Sequence, residues 1–318
     1  ITLLLTTSIF ISYSYFFIFL IYNVINKLKS EKMKTRDILI ALLVPIVLGF
    51  GFVIAKPAMQ YFPPYLLMGI RFTIPALLLV WWFPVPKGLF IDLFKVSLIG
   101  STLQYGLTYT GLNIIDASSA VLLIMLEVPF GILIAFFLLK EVPKLKNIVG
   151  LVIAFIGVFV LTGAPNLEGK YIGVLLTLSG AFTWSLGAVL AKPLSKKIGA
   201  FALMTWLCVF SGPLLILIST VVNGNPIQYI LSANYYSWLI VIYLGFFMQP
   251  IAYGTWYQVM GRNPVHKVMP LMLLLPLTGL STAIFLLGED PSAEVFLGGA
   301  IILFGIAMIL FEKKNKKK

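Results

Sequence analysis

From Asp37 onward the sequence is a succession of apolar runs of similar length separated by short polar linkers. A helix needs about twenty apolar residues to cross the hydrocarbon core of a bilayer, and these runs are of that length. Within lipid every backbone amide and carbonyl must be satisfied internally, so only helices or closed barrels can span, and continuous runs this long are helical. They fall at 37–58, 64–84, 92–112, 117–139, 146–164, 171–191, 200–222, 236–258, 266–287 and 293–312. The predicted fold is an all-α integral membrane protein, a bundle of ten transmembrane helices. Composition agrees: 60% of residues are hydrophobic, 11% are charged and the mean hydropathy is +1.03, values that a soluble globular chain with a polar surface excludes.

The formal net charge of +12 could point to nucleic acid. The basic residues instead sit in short clusters between apolar runs, with no nucleic-acid motif beside them, so they read as topology signals. If successive helices alternate in direction, one side receives all but three of the 23 Lys and Arg residues, the exceptions being Lys56, Arg71 and Lys170. Both ends of the ten-span core are therefore expected on the cytoplasmic side. Lys56 is expected to snorkel from the end of the first span.

Residues 1–36 are set apart as an amino-terminal extension. Its first 22 residues are apolar and aromatic, then come Lys27, Lys29, Lys32, Lys34 and Arg36, and the first methionine is Met33. It reads as sequence upstream of a true start at Met33, or as an additional span. A signal peptide is disfavoured because the charges follow the apolar run. The single cysteine, Cys208, lies within an apolar run, which excludes an intrachain disulfide and a cysteine metal cluster.

The two halves repeat. Glu141, Gly150 and Gly157 recur as Glu289, Gly298 and Gly305, each 148 positions later, and Tyr105, Gly106 and Tyr109 recur as Tyr253, Gly254 and Tyr257 at the same offset. Ala55-Lys56-Pro57 answers Ala191-Lys192-Pro193 at an offset of 136, which places twelve additional residues of the second half near Asn223 to Ser232. The repeats are assigned to 37–164 and 171–312, with 313–318 a basic tail. Five spans is an odd number, so the second copy enters the membrane from the opposite side. In transporters of that inverted construction the substrate site lies near the midplane between the copies.

Ten spans with a proline within the fourth and ninth, the strings Leu139-Lys140-Glu141 and Leu287-Gly288-Glu289, and the paired later glycines resemble the drug/metabolite transporter superfamily, EamA family. The resemblance covers about Asp37 to Phe311. Arg71, in Gly69-Ile70-Arg71-Phe72, looks like that family's span-two arginine. Tyr253-Gly254-x-Trp256, Gly261-Arg262 and Pro270-Leu271-x-Leu273-Leu274-x-Pro276-x-x-Gly279-Leu280 are most similar to the O-acetylserine/cysteine exporter branch. The first half departs from the pattern at Glu127, which the resemblance does not lead one to expect.

Glu127 lies near the middle of the fourth span. A charge at that depth costs roughly 2.5–3.5 kcal/mol on insertion scales, so it should face protein or a water-filled cavity. It reads either as a cavity acid for a substrate ammonium group or coupling proton, or as half of a buried pair with Arg71. Arg71 itself reads as architectural or as an anion contact. Gln104, Tyr105 and Thr108 share a helical face with Ser101, and Gln249, Tyr253, Trp256 and Tyr257 form a matching stripe in span eight. With Tyr109 they suggest opposite walls of one cavity, the rival reading being interhelical packing. Trp184 joins them from span six. His266 is expected at the cytoplasmic mouth.

The resemblance implies an alternating-access secondary carrier exporting a small polar metabolite such as an amino acid or derivative. The competing classes are an intramembrane enzyme and a non-transporting membrane subunit. No cofactor and no metal are expected, nor is nucleic acid. The partners are a small-molecule substrate, a proton to be tested for coupling, the lipid bilayer, and a second copy if the chain is a homodimer.

Overall fold

The computed structural model describes residues 34–140, 142–263 and 269–310, and every described element is helical. The extension at 1–33, Glu141, His266 and the basic tail lie outside the described residues.

In the first half, α1 spans Thr35–Ala58 and α2 Pro64–Leu79. Pro64 opens α2, where a missing amide costs nothing because the first turn has no acceptor for it. The third apolar run is interrupted: α3 (Phe90–Ser97) passes through a π-helical stretch, Leu98–Leu103, into α4 (Gln104–Ile114). The fourth is interrupted too, with α5 (Ala117–Leu123), a 3-10 turn at Ile124–Leu126, and α6 (Glu127–Leu139). Pro129 falls in the first turn of α6, and its missing amide favours a new helix start over an unbroken one. Then α7 covers Leu145–Thr162.

The second half follows the same plan. After α8 (Tyr171–Ile198) and α9 (Ala200–Asn223), a short α10 (Pro226–Ser232) occupies the stretch in which the repeat offsets place the twelve additional residues. α11 (Tyr235–Ile242) runs through a π-helical stretch, Tyr243–Tyr253, into α12 (Gly254–Arg262). A 3-10 turn at Met269–Leu273 leads into α13 (Leu274–Leu287), and α14 covers Ala293–Leu310. Among the described residues seven helical stretches are long and apolar enough to cross a membrane, and the apolar helices Leu271–Leu287 and Ala293–Ile309 are shorter. The run at 92–112 is not among them. Large apolar side chains such as Trp81, Phe137 and Phe159 are exposed, as a surface facing lipid requires.

Small residues set the closest helix approaches. A methyl group on Gly150 would lie 2.6 Å from the carbonyl oxygen of Gly305, and one on Gly157 2.8 Å from that of Gly298, so α7 and α14 run antiparallel along a glycine seam. Gly100, in the first π-helical stretch, meets Gly187 of α8, and Gly51 of α1 meets Met248 of the second. Met248 stands 148 positions after Gly100, and Gly187 stands 136 after Gly51. The two contacts are thus counterparts.

One end of the bundle is tied by charge. Gly288 ends α13 in a left-handed conformation (φ 68°), which turns Glu289 back over the start of α5. Its carboxylate accepts from the amides of Ala117 (2.7 Å) and Ser118 (2.9 Å) and from Lys56 Nζ (3.2 Å). Lys56 also donates to the Ile115 carbonyl at 2.8 Å, and Asp116 accepts from Asn166. The Lys56 ammonium group, expected from the sequence to snorkel, is thus held by a carboxylate and a backbone carbonyl at this end of the bundle.

Burial pushes the Glu289 carboxyl up, but the amides of Ser118 and Ala117 and the Lys56 ammonium outweigh it and hold the group below its usual value. A lowered carboxylate contributes stability above the ordinary glutamate value, about pH 4.3, and that stability is lost as pH falls through the lowered value. Glu289→Gln should therefore lower stability in detergent at pH 7 by about 1.5–3 kcal/mol, the scale of a hydrogen bond to a charged group. The gap from wild type should narrow on titration toward pH 3.

Candidate functional site

The cavity between the halves is built on the irregular segments. The π-helical stretches and the 3-10 turns interrupt the regular ladder at matched places in the two halves, which aims side chains inward that a straight helix would spread around its circumference. Its volume is about 50 Å³, room for a few waters at roughly 10–15 Å³ of such space each. Gln104, Tyr105, Thr108 and Tyr109 line it from α4, Glu127 from α6, Trp184 from α8 and Tyr253 from the second π-helical stretch.

Glu127 is the first residue of α6 and keeps part of its surface accessible. Ser185 Oγ of α8 lies 2.7 Å from its backbone carbonyl, which fixes the position of that helix start. Among the described residues no ion pair or hydrogen bond engages the Glu127 carboxylate. Gln104 Nε2 donates to Thr108 Oγ1 at 3.3 Å, while Gln104 Oε1 is buried without a partner. Two residues of the lining, Glu127 and Gln104, thus carry acceptors that no donor among the described residues engages. Tyr105 donates to Tyr253 at 3.3 Å, joining residues that stand 148 apart in the repeat.

Arg71 does not line the cavity. It is fully buried directly behind the tyrosine wall, donating from Nη1 to the Tyr109 hydroxyl and from Nη2 to Gln249 Oε1, both at 3.0 Å. Its guanidinium carbon lies 4.7 Å from the Tyr105 ring centroid, a cation–π distance. It is bonded to neutral groups, and it does not form the pair with Glu127 that the sequence left open. Gln249 accordingly holds Arg71 and lies outside the lining. Trp256 is buried in the helix core and is not among the lining residues, and the Tyr257 side chain lies outside the described residues.

The rest of the lining is apolar: Leu48 and Phe52 from α1, Ile124 and Met125, Met248, Met272 and Leu275. Side chains of this kind carry no chemical signature in a sequence that is mostly apolar. One signal was available. Met125 and Met272 stand 147 apart, the offset that separates Pro129 from Pro276.

The EamA-like transporter family matches this chain twice, over residues 35–163 and 171–311, which together cover most of it. The chain belongs to the EamA-like transporter family. This EamA-like protein is 30% identical over 288 residues to a probable amino-acid metabolite efflux pump of Salmonella typhimurium, covering 88% of this chain and 96% of that one. It is 29% identical to a protein of the same description in Escherichia coli, with 90% and 98% covered. An uncharacterized transporter of Clostridium kluyveri is 30% identical over 230 residues, 70% of each chain. A solved structure with a TM-score of 0.59 and 21% identity covers 87% of this chain and 96% of its own, a likeness of fold alone. The EamA-like chain is thus a multi-pass membrane transporter.

Proposed function

We propose that this protein is an alternating-access secondary carrier, built from two inverted five-helix repeats, that exports a small polar metabolite such as an amino acid or derivative across the inner membrane. Both ends of its ten-span core face the cytoplasm in this reading. The observation that carries it is the Tyr105–Tyr253 contact, in which equivalent residues of the two halves meet over a cavity that both halves line. The counterpart contacts Gly100–Gly187 and Gly51–Met248, and the antiparallel glycine seam, support a pseudo-twofold axis lying between the halves. A cavity of about 50 Å³ must expand to admit a metabolite, as a carrier that opens to one side at a time requires. Family membership favours transport over intramembrane catalysis, and the relatives named amino-acid metabolite efflux pumps favour an amino compound.

The test is counterflow in proteoliposomes. Vesicles loaded with unlabelled amino acids should accumulate labelled amino acid above equilibrium only when the protein is present, and an imposed proton gradient should change the rate if a proton is coupled. A protein that catalyses no counterflow of any amino compound, with or without the gradient, overturns the reading.

A further inference from the structure

Arg71 and Glu127 are opposite charges on the two sides of one tyrosine wall, and among the described residues neither has an ionic partner. Arg71 is fully buried and its Nε is unsatisfied. A buried charge bonded only to neutral groups is costly, and an anion brought close would offset that cost. The group through which such an anion is felt is the Tyr109 hydroxyl. A phenol has one proton to give, and Arg71 donates to the oxygen, so the proton of this lining residue stays available to an acceptor. The guanidinium charge makes it a stronger donor. Elsewhere in the lining, the Glu127 carboxylate has no partner among the described residues and Gln104 Oε1 is buried without one.

We propose that the cavity takes an amino acid as its zwitterion, with the carboxylate on the Tyr109 hydroxyl backed by Arg71 and the ammonium group on Glu127 and Gln104. Arg71 is then a positioning residue, acting on the substrate through Tyr109. This rests on the cavity being the transport site and adds the demand for a free carboxylate. The apolar remainder of the lining, Ile124, Met125, Met272 and Leu275 among it, suits an aliphatic side chain.

Binding of leucine and of leucinamide, which keeps the ammonium group and lacks the carboxylate, tests it on the purified full chain by titration calorimetry. Wild type should bind leucine at least tenfold more tightly than leucinamide. Tyr109→Phe, which keeps the ring, should weaken leucine about tenfold and leave leucinamide unchanged, whereas Glu127→Gln should weaken both. The ratio of two affinities in one variant is independent of how much of it is folded. Equal binding of the two ligands to wild type, or an equal loss of both in Tyr109→Phe, overturns the carboxylate subsite even if counterflow succeeds. Binding of neither ligand overturns it as well, and absence of counterflow then shows whether the transport reading falls with it.

Discussion

Glu127→Gln should reduce transport of an amino substrate by about 100-fold while leaving the protein folded. Glutamine keeps the shape of the side chain and removes its charge, so the helix start held by Ser185 is undisturbed. Removing one partner of a buried charge pair costs roughly 3–5 kcal/mol, and each 1.4 kcal/mol is a factor of ten, so 100-fold is the lower end of that range. Glu127→Asp, which retains the charge on a shorter stem, should keep measurable activity. Initial rates in proteoliposomes, with equal amounts of folded protein verified by size-exclusion chromatography, provide the measurement. Full gradient-driven transport by Glu127→Gln would show that this acid is neither the essential proton carrier nor the ammonium contact.

The largest effect on stability should come from a single methyl group. In Gly187→Ala the added Cβ would lie 2.2 Å from the Cα of Gly100, far inside contact distance and against backbone with no flexible end to yield. The first π-helical stretch must then separate from α8, losing the packing of both. Overpacking of a close-fitted interior costs typically 1–3 kcal/mol, and a backbone-on-backbone clash belongs at the upper end. The expected result is a marked fall in the detergent melting temperature, with transport reduced in the fraction that folds, because Gly100 precedes the cavity-lining turn of Gln104. Gly131→Ala is the control, since nothing lies within 4 Å of the position its methyl would take.

The helical membrane class was legible because lipid leaves few options for long apolar runs. Glu127 was legible for a related reason: a carboxylate in an apolar run stands out, and its depth follows from counting residues. The tyrosines were legible through the repeat, since Tyr105 and Tyr253 gained meaning as a pair. Other features were not. The π-helical stretches depend on which carbonyls the packed helices allow each amide to reach, a tertiary outcome that Leu98 to Leu103 do not announce. Lys56 looked like an ordinary interfacial lysine because its partners, Ile115 and Glu289, are remote in sequence and only the fold brings them together. The position of Arg71 behind the wall was equally hidden: the sequence shows it within an apolar run, but its direction was set by Tyr109 and Gln249 on two other helices.

In the proposed mechanism the Glu127 cavity is the place where substrate is exposed to each side of the membrane in turn. Accessibility of a cysteine placed in its lining tests this most directly, using Met125→Cys in a Cys208→Ser background, since Cys208 is the sole native cysteine. A membrane-impermeant thiol reagent should label position 125 when applied from either side of oriented vesicles, and saturating transported amino acid should slow labelling from both. Labelling from one side only, or no protection by substrate, would contradict it.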